Sequence, residues 1–106
     1  EEVLVFDSND AIISLLKEFM ADIRHTSFRI GTAVFIDVAR MALELKSIDH
    51  ELANDKVIDL ALSIKFIPLL DDLPIYMQEE IQELLDEKGF SVSKEKLNEL
   101  IGEFEI

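Results

Sequence analysis

The sequence predicts an all-α protein, a compact bundle of about five helices, and three observations carry that prediction. Apolar residues recur at three-and-four spacing along most of the chain, as one face of a helix requires. The three glycines and two prolines fall between those runs or near their ends, where they punctuate. Hydrophobic residues make up 49% and charged residues 31%, leaving few of the small polar residues that long loops need. At 106 residues the chain can bury one core but not two, so residues 1–106 read as a single helical domain.

Two short stretches depart from the helical pattern. EEVLVF at the start is β-prone and EFEI at the end alternates polar and apolar residues, so residues 2–6 and 103–106 are candidates for a terminal β-ribbon, with extended tails as the alternative. After DSND, which offers several caps, Ile12, Leu15, Leu16, Phe19, Met20 and Ile23 mark a first helix that ends near RHTS. A second helix is expected from about Phe28 to Leu45. Its stretch GTAVFIDVARMALEL, residues 31–45, sets Asp37, Arg40 and Glu44 on one narrow stripe of an otherwise apolar surface. Such a helix is expected to be central, or covered by another subunit.

SIDHELAND reads as a short helical turn, followed by a third helix from Lys56 to about Phe66 that Pro68 closes. VIDLA at 57–61 echoes FIDVA at 35–39, with Asp59 and Ser63 as a thin polar stripe. Neither flank continues the echo, so no repeated unit is inferred. Asp71 and Asp72 ahead of Pro74 suit the start of a fourth helix, with Met77, Ile81, Leu84 and Leu85 facing inward and Gly89 as its terminator. A fifth helix is expected with Ser93 as cap, Leu97, Leu100 and Ile101 on its apolar side, and Gly102 at its end.

Charge narrows the function. The formal net charge is −13, with nine acids against five bases in residues 1–50 and fourteen against five in residues 51–106. A surface of that sign repels phosphate backbones and anionic lipid, so direct nucleic-acid or membrane binding is not expected, and a partner with a basic surface is. No apolar run reaches the roughly 18 residues of a membrane span. The chain has no cysteine, hence no disulfide or thiolate zinc site, which suits a cytoplasmic setting.

Four constellations have the residue types of a site. In EEIQELLDE, residues 79–87, Glu80, Glu83 and Asp86 recur every third residue and could gather a divalent cation. In this one helix the chain resembles all-α nucleotide pyrophosphatases of the MazG type, and the resemblance implies magnesium-dependent nucleotide hydrolysis. No second acidic motif completes the cluster, so the solvated face of an amphipathic helix is the preferred reading. Asp22 and His25 have the spacing of carboxylate-bridged metal bundles but lack a second such pair, and His50 has no acid three residues before it.

RHTSFR, residues 24–29, is the local concentration of positive charge. It has the makings of an anion site, but pairing with the chain's own acids, within the monomer or across a subunit boundary, is the simpler expectation. Helices four and five around GFSVS have the outline of a helix-turn-helix, yet Lys94 and Lys96 stand among Glu95, Glu99 and Glu103, a poor face for DNA. Phosphate-binding glycine loops and hydrolase elbows are missing from the sequence.

No catalytic, cofactor or metal residues are therefore assigned. The expectation is a small acidic interaction module, a subunit, adaptor or inhibitor that forms a homodimer and lacks catalytic activity. The alternatives are an acidic inhibitor seated in the basic groove of a nucleic-acid-binding protein and, last, a metal-dependent all-α nucleotide hydrolase.

Overall fold

A computed structural model describes residues 10–26 and 28–105 as an all-α bundle. The elements are α1 (Asp10–Ile23), α2 (Thr32–Ile48), α3 (Asn54–Lys65), a 3₁₀ turn (Ile67–Leu70), α4 (Ile75–Lys88) and α5 (Ser91–Glu105). The C-terminal arm of the anticipated ribbon is instead helix, because residues 103–105 continue α5. Residues 2–6, its other arm, lie outside the described residues. None of the described helices is long and apolar enough to cross a membrane.

The bundle is organised around α3, which packs against α1, α2, α5 and the 3₁₀ turn. Of the two expectations for α2, central or covered by another subunit, this overturns the first. Only Val38, Ala39 and Ala42 of α2 are buried, whereas α3 buries Val57, Ile58, Asp59, Ala61, Leu62 and Ser63. The small residues Ala39 and Ala42 let α2 lie close along α3 on a narrow seam. The rest of its apolar surface is only partly covered.

Helix α2 also begins later than the periodicity suggests, at Thr32 rather than near Phe28. The Thr26 hydroxyl donates to the Ile23 carbonyl (2.7 Å) and accepts from the Phe28 backbone N–H (3.1 Å), giving the chain a local alternative to continued helix. Phe28 then turns inward onto the Phe66 ring, with centroids 5.8 Å apart, and the backbone is extended at Gly31. At its other end α2 runs to Ile48. SIDHELAND contains no separate helical turn: the Asp49 carboxylate accepts from the Glu51 N–H (3.1 Å), a local Asx turn, and the Lys46 ammonium donates to the Leu52 carbonyl.

A chain of phenylalanines ties the elements together. Phe19 of α1 is fully buried, edge-on to Phe66 at the end of α3 (centroids 6.1 Å apart) and tilted against Phe90 (5.7 Å) between α4 and α5. Each pair adds about 0.5–1.5 kcal/mol beyond the area it buries. Below Phe66 the 3₁₀ turn buries Ile67 and Leu70, and the Gln78 amide, itself fully buried, donates from Nε2 to the Leu70 carbonyl (2.8 Å). Gln78 thereby locks the turn to α4, although its buried Oε1 has no hydrogen-bond partner among the described residues.

The junction of α4 and α5 explains two further departures from expectation. Gly89 ends α4 as anticipated, at φ 75°, with its N–H donating to Asp86 and the Phe90 N–H donating to Leu85 (3.0 Å), the paired bonds of a Schellman motif. Phe90 accepts from the Lys94 N–H (3.0 Å) and so occupies the N-cap position of α5, which starts at Ser91 rather than at a Ser93 cap. An apolar N-cap residue offers no acceptor, and Phe90 is committed to the core.

Asp59 supplies the missing cap from the middle of α3. Its Oδ2 accepts from the Val92 N–H (2.9 Å) and its Oδ1 from the Ser93 N–H (2.8 Å), the two donors an N-cap side chain ordinarily serves. Ser93 Oγ returns a hydrogen bond to the Asp59 carbonyl (2.8 Å). Asp59 and Ser63, the thin polar stripe of α3, are both buried. Gly102 does not stop α5, which continues to Glu105.

Truncating Asp59 should strand two helix-terminal N–H groups in the core, so Asp59→Ala is expected to cost about 3 kcal/mol in urea unfolding. Asp59→Asn, which keeps one acceptor but turns an NH₂ toward a donor, should fall between that and Ser93→Ala at about 1 kcal/mol. An Asp59→Ala protein as stable as Ser93→Ala would refute the capping account. Gly89→Ala, forced into the left-handed region, should lose about 1 kcal/mol in the same assay.

Candidate functional site

Most of the charged constellations turn out to be structural or solvated. Asp37, Arg40 and Glu44 are all exposed, so the stripe on α2 faces water. On α4, Glu83 and Asp86 are exposed and Glu80 is partly buried. Asp86 is engaged by Lys94 at 2.7 Å, and that contact joins α4 to α5. Among the described residues no three His, Asp or Glu side chains gather where they could hold a metal ion. The helix-turn-helix outline loses a basic group in the same way, since Lys94 is spent within the pair of helices.

Asp22 and His25 do not form a ligand pair. Asp22 Oδ2 instead meets Lys88 Nζ at 2.6 Å, clamping the end of α1 to the end of α4, while His25 is exposed. The hydrogen bond to Asp22 and, after the opposing effect of desolvation, the charges of Asp22, Glu18 and Glu87 raise the Lys88 pKa above its ordinary 10.5.

The basic segment RHTSFR behaves differently from expectation. Arg29 Nη1 donates to the carbonyls of Thr26 (2.7 Å) and Phe28 (3.0 Å), so at Nη1 the guanidinium serves the loop's own backbone rather than a carboxylate. Beside it opens a cleft of about 440 Å³ between the end of α1 and the start of α2. Lys17, Arg24 and Arg29 stand at its rim, all three exposed, and the buried Met20 and Ile23 with the partly buried Ile30 and Phe35 form its apolar floor. No acid is among the residues lining it. In a chain of net charge −13 this is a local reversal of sign.

A second cleft of about 440 Å³ lies at the α4–α5 junction, lined by Gly89, Ser91, Val92, Lys94, Glu95 and neighbouring residues. Its charges are mixed, and Lys94 is already paired with Asp86. It has no comparable preference for a ligand sign.

Exposed apolar side chains are the other notable feature. Leu69 is 54%, Tyr76 57%, Ile64 47% and Ile75 45% exposed, and together with Ile48 they are the large hydrophobic residues most open to solvent among those described. Four of the five fall within residues 64–76, across the end of α3, the 3₁₀ turn and the start of α4. Sequence periodicity did not mark them because Leu69 and Ile75 lie in or beside irregular backbone. Comparisons with family models, curated proteins and solved structures find no match to this chain.

The Asp22–Lys88 clamp gives a pH-dependent signature. Because the folded-state pKa of Lys88 lies above 10.5, its contribution is fully present below that pH and is lost as pH rises through the raised value. A double-mutant cycle with Asp22→Asn and Lys88→Met should give about 0.5 kcal/mol of coupling at pH 7, in keeping with a partly exposed pair, and progressively less as pH rises above 10.5 and Lys88 loses its proton.

Proposed function

We propose that this chain is a non-catalytic helical interaction module that self-associates through an apolar knuckle at residues 64–76. The observation that carries the reading is the concentration of exposed Ile64, Leu69, Ile75 and Tyr76 in one short segment. Exposed apolar side chains gathered in this way mark interfaces more often than isolated ones do. The knuckle is also held rigid from within. Phe66, Ile67 and Leu70 are fully buried beneath it and Gln78 pins the Leu70 carbonyl, so presenting the outer side chains costs little ordering entropy.

A second copy is the occupant that fits an apolar surface on an acidic chain, since an isologous contact needs only self-complementarity. Its formation has a distinctive salt response. Two copies of net charge −13 repel, and added salt screens that repulsion, so the dimer should strengthen with ionic strength. The lack of cysteine suits such a role in a reducing cytoplasm.

The surplus of acids on α4 and α5 favours a second reading, occupancy of a partner's basic groove. Glu79, Glu83, Glu87, Glu95 and Glu99 are all exposed. Binding of that kind weakens as salt rises, opposite to the dimer. A metal-dependent hydrolase has no such support.

Sedimentation at 50 and 500 mM salt tests the self-association reading. The expected result is a dimer whose dissociation constant falls with salt and rises by about tenfold or more in Leu69→Glu or Tyr76→Glu, as loss of a central apolar contact predicts. A strict monomer at millimolar concentration in both salts would remove the self-association reading.

A further inference from the structure

We infer that the cleft between α1 and α2 is a binding site for a small amphipathic anion, a carboxylate or phosphate head carrying a short apolar tail. The inference is independent of self-association through residues 64–76. Three properties of the cleft converge on this chemistry. Its volume, about 440 Å³, lies in the range of small-molecule pockets. Its rim gathers three of the chain's ten lysines and arginines without a lining acid, although acids outnumber bases by 23 to 10 overall. Its floor is apolar, provided by Met20, Ile23, Ile30 and Phe35.

The rim is also organised to receive a negative charge. Arg29 is fixed by the Thr26 and Phe28 carbonyls through Nη1, so a guanidinium of five N–H groups is oriented before any ligand arrives. Guanidinium forks match carboxylate and phosphate oxygens, and Arg24 is also part of the lining. The cleft includes Gly31 and Thr32 at the start of α2, where Gly31 provides no side-chain cap and the first turn holds no acid. The positive end of the helix dipole therefore adds to the same field. Among the acids of α1, Asp22 is turned to Lys88 on α4, away from this duty, and Glu18 is exposed outside the lining.

Head and tail would be read separately. The arginines and Lys17 take the anionic oxygens at the rim, and the tail displaces water from the floor. A neutral molecule of the same tail gains only the second term, and a bare inorganic anion only the first.

The test is titration of the ¹⁵N-labelled full chain with octanoate and octyl phosphate, with 1-octanol as the neutral isostere. Saturable shifts are expected for at least one anion at residues 24 and 30–32, with octanol at least about tenfold weaker, equivalent to 1.4 kcal/mol for the head. Lys17→Glu/Arg24→Glu should weaken the anion by about tenfold or more, whereas Lys56→Glu/Lys96→Glu, exposed residues outside both the cleft lining and residues 64–76 with the same charge change, should leave it within about twofold. Circular dichroism of each double variant checks that it is folded. The proposal is overturned if neither anion saturates below 10 mM, if octanol binds as well as the anions, or if both double variants weaken binding alike. Tighter binding of octanoate or of octyl phosphate identifies the head.

Discussion

The Asp59 carboxylate is the constraint on which the rest of this bundle depends. It stands in the middle of the central helix and satisfies the first-turn donors of α5, a helix that begins 32 residues later. With that cap in place, Phe90 is released from any polar duty at the helix start and can fill the core beside Phe19. Gly89 then reverses the chain in two residues, so α4 and α5 pack directly on one another. A carboxylate at 2% exposure would be a liability if unpaired, but here two N–H donors and the positive end of α5 surround it. Its position fixes the axial placement of α5 against α3 more strictly than apolar contacts alone would, because hydrogen bonds tolerate far less sliding.

The two echoing pentapeptides show what the sequence could and could not disclose. FIDVA and VIDLA have the same local pattern, and both form helix, because periodicity is a local property that hydrophobic faces satisfy in any context. Their acids have opposite fates. Asp37 faces water on the outer side of α2, whereas Asp59 is buried by the start of a helix far along the chain. Nothing within five residues distinguishes them, so the difference belongs to tertiary structure. Helix existence, the stop at Gly89 and the exposure of Glu79, Glu83, Asp86 and Glu87 on α4 were readable for the same reason. The start of α2, where Phe28 turns to Phe66, and the role of Ser93, which pairs with Asp59, depend on side chains that answer to distant partners.

The candidate surfaces were less legible still. A cleft is made by the relative placement of α1, a loop and α2, and only RHTSFR hinted at it through charge. The sequence suggested that Arg29 would seek an acid, but the loop carbonyls are nearer and fixed, and they take its Nη1. The knuckle likewise needed the structure. Ile67 and Leu70 point into the core while Leu69 between them does not, a division set by the threefold geometry of the 3₁₀ turn.

Scarcity of cations makes their placement informative. Lys88 joins α1 to α4, Lys94 joins α4 to α5, Lys46 closes the α2–α3 loop and Arg29 the α1–α2 loop. Each of these is used at a junction, where one ammonium or guanidinium holds two segments that would otherwise separate. The acids, more than twice as numerous, cannot all be matched in this way and leave a negative field over the surface. Against that field, close approach of a second acidic copy would depend on apolar contact rather than charge, and the exposed Ile64, Leu69, Ile75 and Tyr76 are the side chains that could offer it. The α1–α2 cleft is the opposite case, a small region with three cations and no acid in its lining, where an anion would meet both a charge and an apolar floor. The apolar side chains of residues 64–76 and the basic-rimmed cleft thus occupy different parts of the fold, and the docking and anion binding proposed for them would not compete for the same cations.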